Sequence, residues 1–216
     1  MIKFCSLFSG SSGNSLFVAA GSTKIIIDAG LSGKRIIEAL CSIGENPAEL
    51  SAILVTHEHS DHTRGVGIVS RKFNVPIFAN ENTWSGMERE IGPVDAKNRM
   101  YFNTGNEFEI GEILVKAFSI PHDASEPVGF NFFAGNKKVT TATDIGHITK
   151  DLLSNFYDSD LILLESNHDI EMLKVGPYPY HLKRRILGDR GHLSNEMAGK
   201  VIAHLAENGT KRFLLG

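Results

Sequence analysis

The sequence predicts a mixed α/β fold of the α+β kind, one domain or two fused halves, over 216 residues. Short apolar runs bounded by Gly, Asn, Asp or Pro recur along the whole chain and have the length of strands. Segments of helical period with start and stop residues alternate with them in the first half and return near the end. A hydrophobic share of 42% over this length is enough to bury a sizeable core.

In chain order, residues 2–8 alternate as a first strand, and 17–20 and 24–27 read as two more. Residues 32–43 read as a scaffold helix, with Ser32 as N-cap, Ile36, Leu40 and Ile43 on one face and Gly44 as the stop. Ala52-Ile-Leu-Val55 reads as a buried strand, 61–73 as a helix with Val66, Val69 and Phe73 inward, 75–78 as a short strand and 81–91 as a helix. That last helix holds the single Trp, Trp84, expected in the core or a lid rather than as a platform for stacked bases. Strands follow at 100–102, 107–110, 112–120, 128–134 and 137–143, with Gly135-Asn136 as a hairpin turn and an antiparallel sheet as the expectation. Residues 160–165 form another buried strand, 195–207 a helix opened by Ser194 or Asn195, and 211–215 a last strand.

Composition narrows the function. A net charge of -3 disfavours wholesale polyanion coating, so contact with nucleic acid needs a local basic patch. Cys5 and Cys41 lack C-x-x-C spacing and read as two reduced, buried side chains. The N-terminal residues run into Gly and Ser before an apolar stretch of signal-peptide length, and no segment approaches a membrane span. A soluble, cytoplasmic protein without a membrane partner is expected.

The densest chemistry lies at Val55-Thr-His57-Glu-His59-Ser-Asp61-His62, which follows the 52–55 strand. In extended chain His57 and His59 point to the same side. Asp61 and His62 fall in the first turn of a helix, where Asp61 suits the dipole. One segment can thus offer two ligand pairs to two adjacent ions. Without a cation, so many ligand-type groups behind a buried strand would be poorly satisfied.

His57-x-His59-x-Asp61-His62 resembles the signature of the metallo-β-lactamase superfamily, and the chain is most similar to its YycJ (WalJ)-like metallohydrolases, which resemble DNA exonucleases. The resemblance covers nearly all of the chain. It implies an αββα sandwich, two mixed sheets packed face to face with helices outside, as one domain over residues 1–216. It also implies that His122, after Phe118-Ser-Ile-Pro, completes a first ion's set with His57 and His59. Asp144, after Val139-Thr-Thr-Ala-Thr, would bridge to a second ion held by Asp61 and His62. The donors are nitrogen and oxygen only, so zinc and manganese both fit as the two divalent ions. In the family a histidine follows Leu-Leu215-Gly216 as the last ligand, and the expectation is a chain truncated at its C-terminus.

Other residues have two readings. Asp28, ending Ile25-Ile-Ile, is a turn former or, by the family pattern, an acid that orients a ligand beneath the metals. Ser9-Gly-Ser11-Ser12-Gly-Asn14-Ser15 is a tight turn or a backbone nest toward substrate phosphate, a string typical of YycJ-like proteins. It lacks the Gly-Lys-Ser/Thr and following helix of a nucleotide loop. His168 contacts substrate or closes its strand. Lys183-Arg184-Arg185 is a solvated helix face or a phosphate patch. His192-x-Ser194 caps a helix or, as in nucleases of the superfamily, lies near the scissile phosphate.

These residues support a metal-dependent phosphodiesterase or DNA exonuclease in which Asp61 orients or deprotonates the attacking water and His192 binds phosphate or protonates the leaving group. A thioesterase of the glyoxalase type or another ester metallohydrolase could use the same ligands, although a glyoxalase usually adds a helical domain. A non-catalytic metal-binding regulator is the alternative from another class. Metal content and hydrolysis of a simple phosphodiester separate the three.

Overall fold

The computed structural model describes residues 1–216. By internal contacts they divide into two compact units, Met1–Val115 with Ala124–Glu126, and Lys116–Asp123 with Pro127–Gly216.

The first unit is built on a six-stranded mixed sheet. It comprises β1 (Ile2–Phe8), β2 (Ser15–Ala20), β3 (Thr23–Ile27), β4 (Ala52–Leu54), β5 (Ile77–Ala79) and β6 (Arg99–Tyr101), in that spatial order. β1, β2 and β3 pair antiparallel, and β3 through β6 pair parallel. Parallel neighbours need crossovers. Helix α1 (Gly33–Ser42) connects β3 to β4, α2 (Ser60–Thr63) and α3 (Val66–Phe73) connect β4 to β5, and α4 (Glu81–Ile91) connects β5 to β6. The core gathers Phe17, Ile26, Ile53 and Ile77 from the strands with Ile36, Leu40, Val69 and Trp84 from the helices.

The second sheet has the order β12 (Phe213–Leu215), β11 (Leu161–Leu164), β10 (Lys137–Ala142), β9 (Val128–Ala134), β8 (Ile113–Ser119) and β7 (Glu107–Ile110). β9 and β10 are an antiparallel hairpin, whereas β10, β11 and β12 run parallel. The second unit's helices are α5 (Lys150–Ser154), α6 (Ile170–Val175), α7 (Tyr180–Ile186) and α8 (Asn195–Glu207). Its core joins Ile162 and Leu164 to Leu152, Phe156, Ala198, Val201 and Leu205.

Helix 81–91 and strands 107–110 and 128–134 fall where the pattern puts them, as does helix 195–207 with Ser194 as its cap. Several expectations need correction. The helix expected over 61–73 is two helices. Gly65 donates its N–H to Ala29 O at 2.7 Å instead of continuing the first, and a Cβ there would meet Leu31 O at 2.4 Å. The strand at 100–102 joins no antiparallel sheet: β6 pairs parallel with β5, and the second sheet is itself mixed. Cys41 is exposed and Cys5 half-buried, because Cys41 lies one step past the buried Ile36 and Leu40 stripe; both are unpaired. Helices α5 and α6 span only 5 and 6 residues, too short for a periodic signal. Their caps, Thr149 accepting from Leu152 N and Asp169 accepting from Met172 N, were the legible sign. No helix is long and apolar enough to cross a membrane.

Trp84 is 1% exposed, donates Nε1–H to Met100 O at 2.9 Å and lies under the Arg99 guanidinium. Trp84→Ala is expected to destabilise the first unit by about 3–5 kcal/mol, as a large aromatic-to-alanine cavity does, and urea unfolding followed by circular dichroism reads it.

Candidate metal centre

In the first unit the ligand-type residues sit past the C-terminal ends of parallel strands, where open α/β sheets place their sites. Asp28 follows β3 with φ 59°, left-handed backbone that Asp tolerates better than most residues. Its carboxylate, buried to 3% exposure, accepts Thr56 N–H at 2.8 Å on one oxygen. The other oxygen accepts Thr56 Oγ1–H at 2.8 Å and His62 Nδ1–H at 2.8 Å. With the Thr56 hydroxyl proton committed to Asp28, His57 Nδ1–H donates to Thr56 Oγ1 at 2.9 Å. One acid thus holds His62 directly and His57 through Thr56, the kind of carboxylate contact that orients metal-binding imidazoles.

The loop after β4 bends at Thr56 and Glu58. His57 Nε2 and His59 Nδ1 converge to 3.0 Å, while Glu58 between them faces the other way and accepts Ser125 N–H at 2.8 Å and Oγ–H at 2.7 Å. Asp61 Oδ2 lies 3.6 Å from His62 Nε2, and the Asn14 amide reaches His62 Nε2 at 3.1 Å and Asp61 Oδ2 at 3.5 Å. The Gly/Ser loop is stitched beneath them: Asn14 N–H donates to Asp61 O at 2.8 Å and Gly30 N–H to Asn14 O at 2.9 Å. Gly30 is glycine because a Cβ would lie 1.6 Å from Asp61 O. Ser11 and Ser12 are exposed on the loop.

In the second unit His122, Asp144 and His192 each offer a ligand atom, all within 4.8 Å of one another. Asp144 follows β10 with φ 56°, the same reversed backbone as Asp28. His122 donates Nδ1–H to Gly191 O at 3.0 Å, and burial holds its pKa below the usual imidazole value, which favours the neutral form that metal binding needs. His192 donates Nδ1–H to Glu165 Oε1 at 2.7 Å. Burial works against the His192 cation, but the Glu165 hydrogen bond and charge outweigh it and its pKa is raised. Glu165, past the end of β11 and 3% exposed, has its own pKa raised by burial despite His192. Its second oxygen accepts Ile145 N–H at 2.6 Å and Leu193 N–H at 3.0 Å.

Ser194 Oγ accepts Met197 N–H at 3.2 Å, a helix cap. His168 forms a backbone bridge to Ser194, and Asn195 N–H donates to its carbonyl at 2.9 Å, so its main chain closes the strand end. Both its ring nitrogens are buried without a hydrogen-bond partner, and burial lowers its pKa. Sequence reasoning passed over Glu165 and Thr56. The signal for Glu165 was a carboxylate directly after Leu161-Ile-Leu-Leu164, the pattern already noted at Asp28 and Asp144.

The donor set fits a divalent cation: imidazoles oriented from behind, carboxylates beside them and no thiolate. Two mixed six-stranded sheets with helices, carrying such His and Asp clusters at strand ends, define the metallo-β-lactamase αββα class. Residues 23–215 match the family model of the beta-lactamase superfamily domain. Among curated proteins, exodeoxyribonuclease WalJ of Streptococcus pneumoniae is 41% identical over 99% of this chain and 80% of its own length. Exodeoxyribonuclease YycJ of Bacillus anthracis is 42% identical over 99% of the chain and 81% of its length. The metallo-beta-lactamase fold protein YhfI from Bacillus subtilis superposes with a TM-score of 0.75 at 14% identity, over 100% of this chain and 85% of that one. The chain belongs to the WalJ and YycJ family of the beta-lactamase superfamily, and is a metal-dependent hydrolase of its nuclease branch.

Asp28→Asn keeps a side chain that tolerates φ 59° but removes the charge that orients His57 and His62. Zinc affinity is expected to fall about 10- to 100-fold with circular dichroism unchanged, read by competition with a chromogenic chelator.

Proposed function

We propose that the chain is a DNA exonuclease, a phosphodiesterase acting as a single metallo-β-lactamase-like domain with two divalent ions, zinc or manganese. The observation that carries this reading is the Glu165–His192 pair, a buried carboxylate on an imidazole that lies 3.5 Å from Asp144 Oδ1. Such a pair holds a proton for an oxyanion leaving group. The naming of the relatives as exodeoxyribonucleases supports the substrate class.

In this reading His57, His59 and His122 would hold one ion and Asp61, His62 and Asp144 would supply the donors for the other. When bound, paired divalent ions lower the pKa of water toward ~7 and offset the charge developing on phosphate. Asp61 accepts the proton of the attacking water. His192 carries the opposite proton: Glu165 holds Nδ1–H and stabilises the cation, so Nε2–H faces the leaving oxygen. The first N–H groups of α8, a 13-residue helix, and the nearby Ser194 seat the phosphate. Ser11, Ser12 and Asn14, with His168 and the Lys183–Arg185 patch, support the remaining backbone. Two unpaired cysteines suit a reducing cytoplasm, the compartment proposed for the chain.

The test begins with elemental analysis, followed by hydrolysis of bis-p-nitrophenyl phosphate and of DNA labelled at either end. Chelation with EDTA is expected to abolish both activities and divalent metal to restore them; metal-loaded protein without either activity overturns the reading.

Two variants separate ligand from acid. His59→Ala is expected to abolish turnover and lower metal occupancy. His192→Ala is expected to keep its metal and slow turnover about 10²- to 10⁴-fold, the contribution of a general acid; loss of metal from it would make His192 a ligand instead.

A further inference from the structure

The second unit carries a segment that its core does not explain. Helix α7 buries no residue, and between Ile170 and Arg190 the side chains of Met172, Val175, Tyr178, Tyr180 and Leu187 are exposed, Tyr180 to 76%. The same stretch holds five Lys or Arg against two Asp or Glu, in a chain of net charge -3. Exposed aromatic side chains interleaved with cations on one short segment are the composition of a single-strand binding surface, where bases stack and the field attracts backbone.

The base of this segment is fastened to the second unit's ligand-type residues. Arg185 donates Nε–H to Asp123 Oδ2 at 2.5 Å and Nη2–H to Oδ1 at 3.0 Å, gripping the residue next to His122. Ile186 O accepts His192 N–H at 2.9 Å. A Cβ on Gly191 would lie 2.2 Å from both Arg185 O and Ile186 O, so the end of α7 and the His192 loop are in backbone contact. Farther out, Lys183 Nζ donates to Lys174 O at 2.7 Å and joins α7 to α6, and the Arg184 guanidinium lies 6.0 Å from the Tyr180 ring centre. At 1.5 Å per residue, Tyr180 stands about 9 Å along α7 from Ile186, the length of two to three stacked nucleotides.

We propose that the α6–α7 segment is a track for single-stranded DNA, with Tyr178 and Tyr180 as base-stacking platforms and Arg184 and Arg190 as phosphate contacts. It rests on the phosphodiesterase reading and adds to it a strand preference. Its charge selects a polyanion over a neutral protein partner, and its flat aromatic faces need unpaired bases, which duplex DNA does not offer. The anchoring through Arg185 and Ile186 couples the position of the strand to His122 and His192.

The experiment is fluorescence anisotropy at fixed salt with metal-loaded protein and a labelled nuclease-resistant phosphorothioate oligothymidylate. Tyr178→Ala/Tyr180→Ala is expected to weaken binding about 10- to 100-fold, whereas Tyr178→Phe/Tyr180→Phe stays within about threefold of the parent. An oligomer of the same backbone with abasic sugars is expected to bind the parent protein about as weakly as oligothymidylate binds the alanine variant. Equal affinity of parent and alanine variant for oligothymidylate, or of the parent for the two oligomers, overturns the track. Turnover of bis-p-nitrophenyl phosphate by the parent protein is read alongside. Its absence sinks the phosphodiesterase reading, whereas turnover with unchanged DNA affinity sinks the track alone.

Discussion

The histidine-bearing loop of the first unit depends on one buried carboxylate. Asp28 accepts three hydrogen bonds, two from Thr56 and one from His62, at 3% exposure. A buried anion is tolerated only when it is fully hydrogen-bonded, and here every donor belongs to the loop that carries the imidazoles. The stabilisation of the acid and the orientation of the imidazoles are therefore the same set of bonds.

The second unit repeats the device. β2, β3 and β4 pair antiparallel then parallel, as do β9, β10 and β11. In each, the middle strand follows a hairpin and ends in Asp-x-Gly, Asp28-Ala-Gly30 and Asp144-Ile-Gly146, with the Asp in left-handed backbone. A residue there turns its side chain back across the strand ends, at a local strain of about 1–3 kcal/mol that the surrounding hydrogen bonds hold in place. Both glycines permit close backbone approach: a Cβ would meet Asp61 O at 1.6 Å in one case and Asp189 O at 2.1 Å in the other.

The fold thereby divides the chemistry. In the first unit Asp28 orients His62 directly and His57 through Thr56, whereas in the second Glu165 accepts from His192 and raises its pKa. The two acids differ in their surroundings. Asp28 accepts from an amide, a hydroxyl and an imidazole, whereas Glu165 accepts from two amides and an imidazole whose charged form it favours and has the Asp144 charge nearby.

Much was legible in the chain itself. Strand ends that deliver Asp28, His57, His122 and Asp144 follow from short apolar runs with polar termini, because runs of that length bounded by turn formers read as buried strands. Local spacing puts His57 and His59 on one side, and the Trp84 side chain, expected in the core or a lid, is buried. Other features needed the tertiary structure. The break at Gly65, the parallel pairing of β6 and the pairing of Glu165 with His192, 27 residues later, each depend on contacts between segments distant in sequence. Periodicity and spacing report what a residue does to its neighbours along the chain; which carboxylate meets which imidazole is decided only when packing brings separate strand ends together.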